Sequence, residues 1–251
     1  PLYQPALARL GELSWCCAGR SAEAIRYLEQ ALALDGASDW TRRLLVRAYL
    51  VVDDVDAARA VVQAAPSLHP LLQLPIAVYG ADWRAAGELA YAGFDEGLVT
   101  PADAGIAALA VRRHARITGE YDRAVRVLAQ YAGLQWGDDG APILSPRPGL
   151  READTGVADV LVASGERERG LALGETLLAQ VESELAQGSR SDFWYLHAKS
   201  VLPALLGRDD EALAALRRGI ETRSLVHRER DLFEQDPALD RLRGNAGFGA
   251  M

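Results

Sequence analysis

Small and apolar residues recur along this chain at steps of three and four, the period that gathers them on one face of a helix. In Ala24-Ile25-Arg26-Tyr27-Leu28-Glu29-Gln30-Ala31-Leu32 they form a single stripe, and the polar residues between them face water. Upstream, Leu10, Leu13, Ser14 and Cys17 keep the same period. Gly19-Arg20-Ser21 then interrupts it with a residue free to take positive φ and a candidate N-cap. The pattern predicts a helical hairpin. Ala24 and Ala31 are small where two helices must approach closely, and Leu28 fills the space between them.

The same hairpin signature returns along the chain: a turn residue, a small residue five positions on, a packing residue four later and another three later. Its six copies begin Gly19-Ala24-Leu28-Ala31 and Asp53-Ala58-Val62-Ala65, continue with Gly80-Ala85-Leu89-Ala92 and Gly119-Ala124-Leu128-Tyr131, and end with Gly165-Gly170-Gly174-Leu177 and Gly207-Ala212-Leu216-Gly219. Trp15 and Tyr49 each stand four residues before a turn and 34 positions apart, the period of a helix-turn-helix repeat. Copies three and five are the weaker ones, the fifth because Gly170 and Gly174 replace packing residues. The turns are unevenly spaced, which predicts inserted loops and a changing pitch.

Two features modify the array. Gly133 to Gly149, with Gly137-Asp138-Asp139-Gly140 and Ser145-Pro146-Arg147-Pro148, reads as a long loop between an N-terminal run of repeats (1–132) and a C-terminal run (150–251) of one continuous solenoid. Thr100-Pro101-Ala102-Asp103 reads as a helix start, with an N-cap, Pro at the first helical position and an acid in the first turn. Near the end, Asp236-Pro237 starts a short amphipathic segment that lays Leu239 and Leu242 over the open apolar end of the stack, which has no further repeat to cover it.

In these residues the chain resembles a tetratricopeptide repeat (TPR) protein, most closely in the fourth copy, Gly119 to Leu128, then in the first and the last. The resemblance implies an all-α, TPR-like α-solenoid: a right-handed superhelix of antiparallel helix pairs closed by a C-terminal capping helix. Asp236 to Arg243 followed by Phe248 is similar to the closing segment of repeat arrays in bacterial regulators. That second likeness implies the C-terminal TPR region of a winged-helix transcriptional regulator, sensing a ligand or dimerising.

Composition narrows the picture. Hydrophobic residues make up 49% of the 251, Ala and Leu dominate, and period-two runs of β-branched residues are missing, all of which favours an all-α class. No apolar stretch reaches the roughly 18 residues needed to cross a bilayer, so the segment is expected to be soluble; its compartment stays open, and the likeness to bacterial regulators implies a bacterial domain, cytoplasmic or periplasmic. The first residue is Pro rather than Met, so a longer natural protein is expected. A net charge of −8 argues against direct nucleic-acid binding, which needs a basic face. Cys16 and Cys17 are adjacent on a helix, a poor geometry for a disulfide and too few ligands for a zinc site, and they read as small packing residues.

Enzyme motifs are missing: no phosphate loop, no nucleophile elbow, no paired-His helix. The four histidines are scattered, and the acidic pairs Asp53-Asp54 and Asp209-Asp210 sit at turns, where Asp caps helices. The reading is therefore of no catalytic residue, no metal and no cofactor. In TPR proteins the first helix of each hairpin lines the inner face, and by that likeness Trp40, Arg43, Arg47, Arg113, Arg116, Trp194 and His197 fall on it. Arg43 and Arg47, four apart, share a helical face, as do Arg113 and Arg116, three apart. Guanidinium forks grip carboxylates, so these residues are the candidate site for a protein or peptide partner, acidic or ending in a free C-terminal carboxylate; self-association is a further possibility. The alternative is that the arginines pair with acids of neighbouring helices. The function expected is a non-enzymatic interaction module, with a recruitment domain of an upstream enzyme or an assembly factor for an envelope or secretion complex as the competing readings.

Overall fold

A computed structural model describes residues 3–16, 18–64, 70–145, 151–188, 192–221, 230–245 and 248, with backbone alone at 16, 70, 192–194 and 230–232. Cys17, His69 and His227 lie outside the described residues, as do the side chains of Cys16 and Trp194. The fold is an all-α, TPR-like solenoid of helix pairs: α1 (Gln4–Cys16) with α2 (Ser21–Leu34), α3 (Asp39–Val51) with α4 (Val55–Gln63), α5 (Leu74–Tyr79) with α6 (Trp83–Asp95), α7 (Ala104–Thr118) with α8 (Tyr121–Ala132), α9 (Arg151–Ser164) with α10 (Arg167–Ala186), and α11 (Asp192–Leu206) with α12 (Asp209–Glu221). Consecutive first helices touch, α3 on α5, α5 on α7, α7 on α9 and α9 on α11, so they form one continuous face. Among the described residues no helix is long and apolar enough to cross a membrane.

The turns explain the hairpins. Gly19, Asp53, Gly119, Gly165 and Gly207 all take positive φ, between 61° and 100°, and so reverse the chain within a few residues. The small and packing positions that follow lie in the core: Ala24, Leu28, Ala31, Ala58, Ala124, Leu128, Leu177 and Ala212 are fully buried. The third copy corrects the sequence reading by one residue. Gly80 has an ordinary φ of −77°, and Ala81 takes the left-handed turn at 52°. The buried small residues are accordingly Ala86, Ala90 and Gly93, whereas Ala85 is exposed. The spacing of five, four and three survives; two adjacent alanines had left its phase open.

Trp15, 2% exposed, packs with Leu28, Leu44 and Leu45, while a larger cluster runs from Leu71 in front of α5 to Leu205 in α11. That cluster crosses the predicted long loop without a break. The loop itself pairs Gln135–Trp136 with Pro142–Ile143 as a small antiparallel hairpin. Gly140 turns it at φ 78°, and Asp139 caps the turn by accepting from the Ala141 N–H. The predicted helix start also differs: α7 begins at Ala104, and the Asp103 carboxylate makes no capping bond.

After α12 the chain returns to the first-helix face through α13 (Arg230–Gln235) and a 3₁₀ segment, Pro237–Leu242. The expected helix start is met by a bond, since the Asp236 side chain accepts from the Ala238 N–H. Leu239 and Leu242 are fully buried against Leu196, Val201, Leu213 and Leu216, as a cap for the last pair requires. The segment also contacts α7, far back in the array.

Candidate functional site

The face built by the first helices carries the arginines that the sequence singles out, and it holds them in two separate groups. On α3, Arg43 and Arg47 lie one turn apart and reach past the short α5 to Asp103. Arg43 Nη1 donates to one carboxylate oxygen (2.8 Å) and Arg47 Nη2 to the other (3.0 Å). Thr100 Oγ1 donates a third bond at 2.6 Å. An acid that would have capped α7 instead ties α3 to α7. Beside this pair Trp40 is 42% exposed in the first turn of α3.

The second group centres on α7 and contains a residue absent from the sequence reading, Arg112. It is 1% exposed, donates from Nε to Asp159 (2.8 Å) and grips Asp236 with both terminal nitrogens (2.7 and 2.6 Å). Burial alone would favour the neutral guanidine, but Asp159 and Asp236 outweigh it and raise the pKa further. His197 Nε2 lies 2.9 Å from Asp236, a geometry that puts the ring proton on that nitrogen. Burial likewise pushes the Asp236 carboxyl up, yet Arg112 and His197 prevail and hold it well below the usual carboxylate range. Arg112 was legible in principle, because it falls on the stripe of Ala108 and Ala115, and both of those are buried.

Arg113 and Arg116 extend the network. Arg116 forks onto Asp159 of α9 at 2.9 and 2.8 Å. Arg113 donates to the Gln235 carbonyl (2.8 Å), forks onto Asp240 (2.9 and 2.8 Å) and lies over the Trp83 ring. Each of the four predicted arginines therefore holds a carboxylate of the chain itself, and no single cradle unites them. His197 joins the α7 group; Trp194 is in the first turn of α11. Among the described residues no cluster of His, Cys, Asp or Glu has the makings of a metal site.

Residues 18–71 match the family model of the tetratricopeptide repeat. This TPR segment contains α2, α3 and α4, hence Trp40, Arg43 and Arg47. Comparison with curated proteins and with solved structures gives no match. Tetratricopeptide repeats generally mediate protein–protein interaction, and the later pairs repeat the order of turn, small residue and packing residue seen within residues 18–71.

Proposed function

We propose that this chain is a non-enzymatic interaction module whose first-helix face takes a protein or peptide segment across its N-terminal half, with Trp40 as anchor and Arg43 and Arg47 beside it. The exposure of Trp40 carries the reading. A large aromatic left in solvent next to guanidiniums has the composition of an interface hot spot. Gln4 Nε2 donates to Thr41 Oγ1 (2.9 Å) and sets α1 beside α3, so Tyr3, 70% exposed, stands at the same end as Trp40. Asp103 holds both arginine side chains in fixed rotamers, which lowers the entropy lost when a ligand meets them.

The test is selection of displayed peptides on the full chain, followed by affinities for Trp40→Ala. A selected peptide should lose roughly 30-fold or more, the effect of removing a hot-spot aromatic, while far-UV circular dichroism stays unchanged. Equal affinity for both proteins would take the Trp40 face out of the function.

A further inference from the structure

We propose that α7 and α11 form a second binding site, for an acidic protein segment of the form Asp-Pro-x-Leu-Asp, and that the chain's own residues 233–242 are its resident occupant. This goes beyond the Trp40 face and stands on different residues.

Charge balance comes first. The α7 row presents three guanidiniums, Arg112, Arg113 and Arg116, and among its described residues the solenoid itself pairs one carboxylate with them, Asp159, shared by Arg112 and Arg116. The returning segment supplies the two further carboxylates, Asp236 to Arg112 and Asp240 to Arg113. Both contacts are two-pronged, the geometry in which a fork recognises a carboxylate rather than a bare charge. In a chain of net charge −8, these three guanidiniums outnumber their solenoid partner Asp159 until the segment arrives, although Arg243 of the segment also pairs with Asp240.

Specificity follows from the remaining contacts. Pro237 opens the 3₁₀ turn that fixes the spacing between the two acids, and the Asp236 side chain caps that turn. Leu239 and Leu242 supply the apolar anchors. The Asp236 end is buried, whereas at the Asp240 end the carboxylate is 47% exposed and Arg113 20%. A competing acidic segment therefore enters at Arg113 and advances toward Arg112. Tethering places the resident at an effective concentration in the millimolar range, so a free segment binds only weakly until the resident is loosened.

A fluorescent peptide of residues 230–251 is the probe, read by anisotropy against the full-length chain. The wild-type protein should bind it weakly. A full-length Asp236→Asn/Asp240→Asn chain, with its receptor arginines intact, should bind it at least tenfold more tightly. Adding Arg113→Ala should abolish the gain, and a probe with both aspartates changed to Asn should not bind. A variant that keeps its helicity and binds no better than wild type overturns the proposal; so does one that loses its helices, since the segment is then part of the fold rather than a ligand. Asp240→Asn alone, at the exposed end, gives a milder check, with a gain of roughly threefold expected and no gain counting against the site. Hydrogen exchange on the wild-type chain should show residues 233–242 opening before α7 and α11; equal protection also overturns it. None of these readouts depends on Trp40, so failure here leaves the first site standing.

Discussion

Asp154 is a carboxylate in an unfavourable place. It lies in α9 at 1% exposure, accepts from Arg151 Nη1 at 3.2 Å through one oxygen, and its other oxygen has no hydrogen-bond partner among the described residues. Burial pushes its pKa up, Arg151 only partly offsets this, and the value rises from the ordinary 3.8 to about 6. The folded chain thus holds that proton more tightly than the unfolded chain. Stability falls as the pH rises from about 4 to about 6, and the full penalty applies above that window. Asp154→Asn removes the charge yet keeps an acceptor for Arg151, which retains Glu184 at 2.7 Å. The variant should be more stable than wild type by on the order of 2–3 kcal/mol at pH 7, with the advantage gone at pH 4. Urea midpoints at the two pH values measure it; a gain independent of pH would mean that packing, not charge, set the cost.

At the scale of helices, the fifth repeat looked weak in the sequence because glycines stand where packing residues belong, and the crossing of α9 with α10 gives the reason. A Cβ on Gly170 would lie 2.7 Å from Val162 Cγ2, 2.8 Å from the Ala158 carbonyl oxygen and 2.9 Å from the Val162 nitrogen. Two of those atoms are backbone, so the helices would have to part. At Gly174 the nearest atom is Leu206 Cδ2 at 3.4 Å, which is ordinary contact. Gly170→Ala should therefore cost about 1–3 kcal/mol, and Gly174→Ala should gain up to about 1 kcal/mol from helix propensity. Thermal melts followed at 222 nm decide it, and a shift of the same sign in both would refute the close-crossing account. The helix pairs were legible because turn and small residue are five positions apart, within one local unit. Among the described residues, phase was lost only where Ala85 and Ala86 competed for one slot; Ala65 of the second copy lies outside them. The partners of the arginines were not legible: Arg43 finds Asp103 at a separation of 60 residues and Arg113 finds Asp240 at 127. Periodicity says which face a side chain is on and nothing about which distant acid that face will meet.

Across the whole molecule, the end of the chain is tied to its middle by a buried charge pair 124 residues apart, Arg112 with Asp236. Both are 1% exposed as side chains, so each depends on the other for its solvation. Removing one partner of such a pair costs about 3–5 kcal/mol, most of it the penalty of the charge left behind. In Arg112→Met, Asp159 still has Arg116 and Asp236 still has His197, but the carboxylate of Asp236 loses its fork. The pH dependence separates this from a packing defect. In the wild-type chain the depressed pKa of Asp236 contributes stability in full above the ordinary carboxylate value, and that contribution declines as the pH falls below about 4. In the variant only His197 and the Ala238 N–H are left to oppose burial, so the Asp236 pKa is held down less and less stability is lost as the carboxylate protonates. The deficit of Arg112→Met should be about 3–5 kcal/mol at pH 7 and should narrow as the pH falls below 4. Chemical denaturation at pH 7 and pH 3 measures both values. A deficit of the same size at both would show that the guanidinium acts as a spacer between helices rather than through its charge.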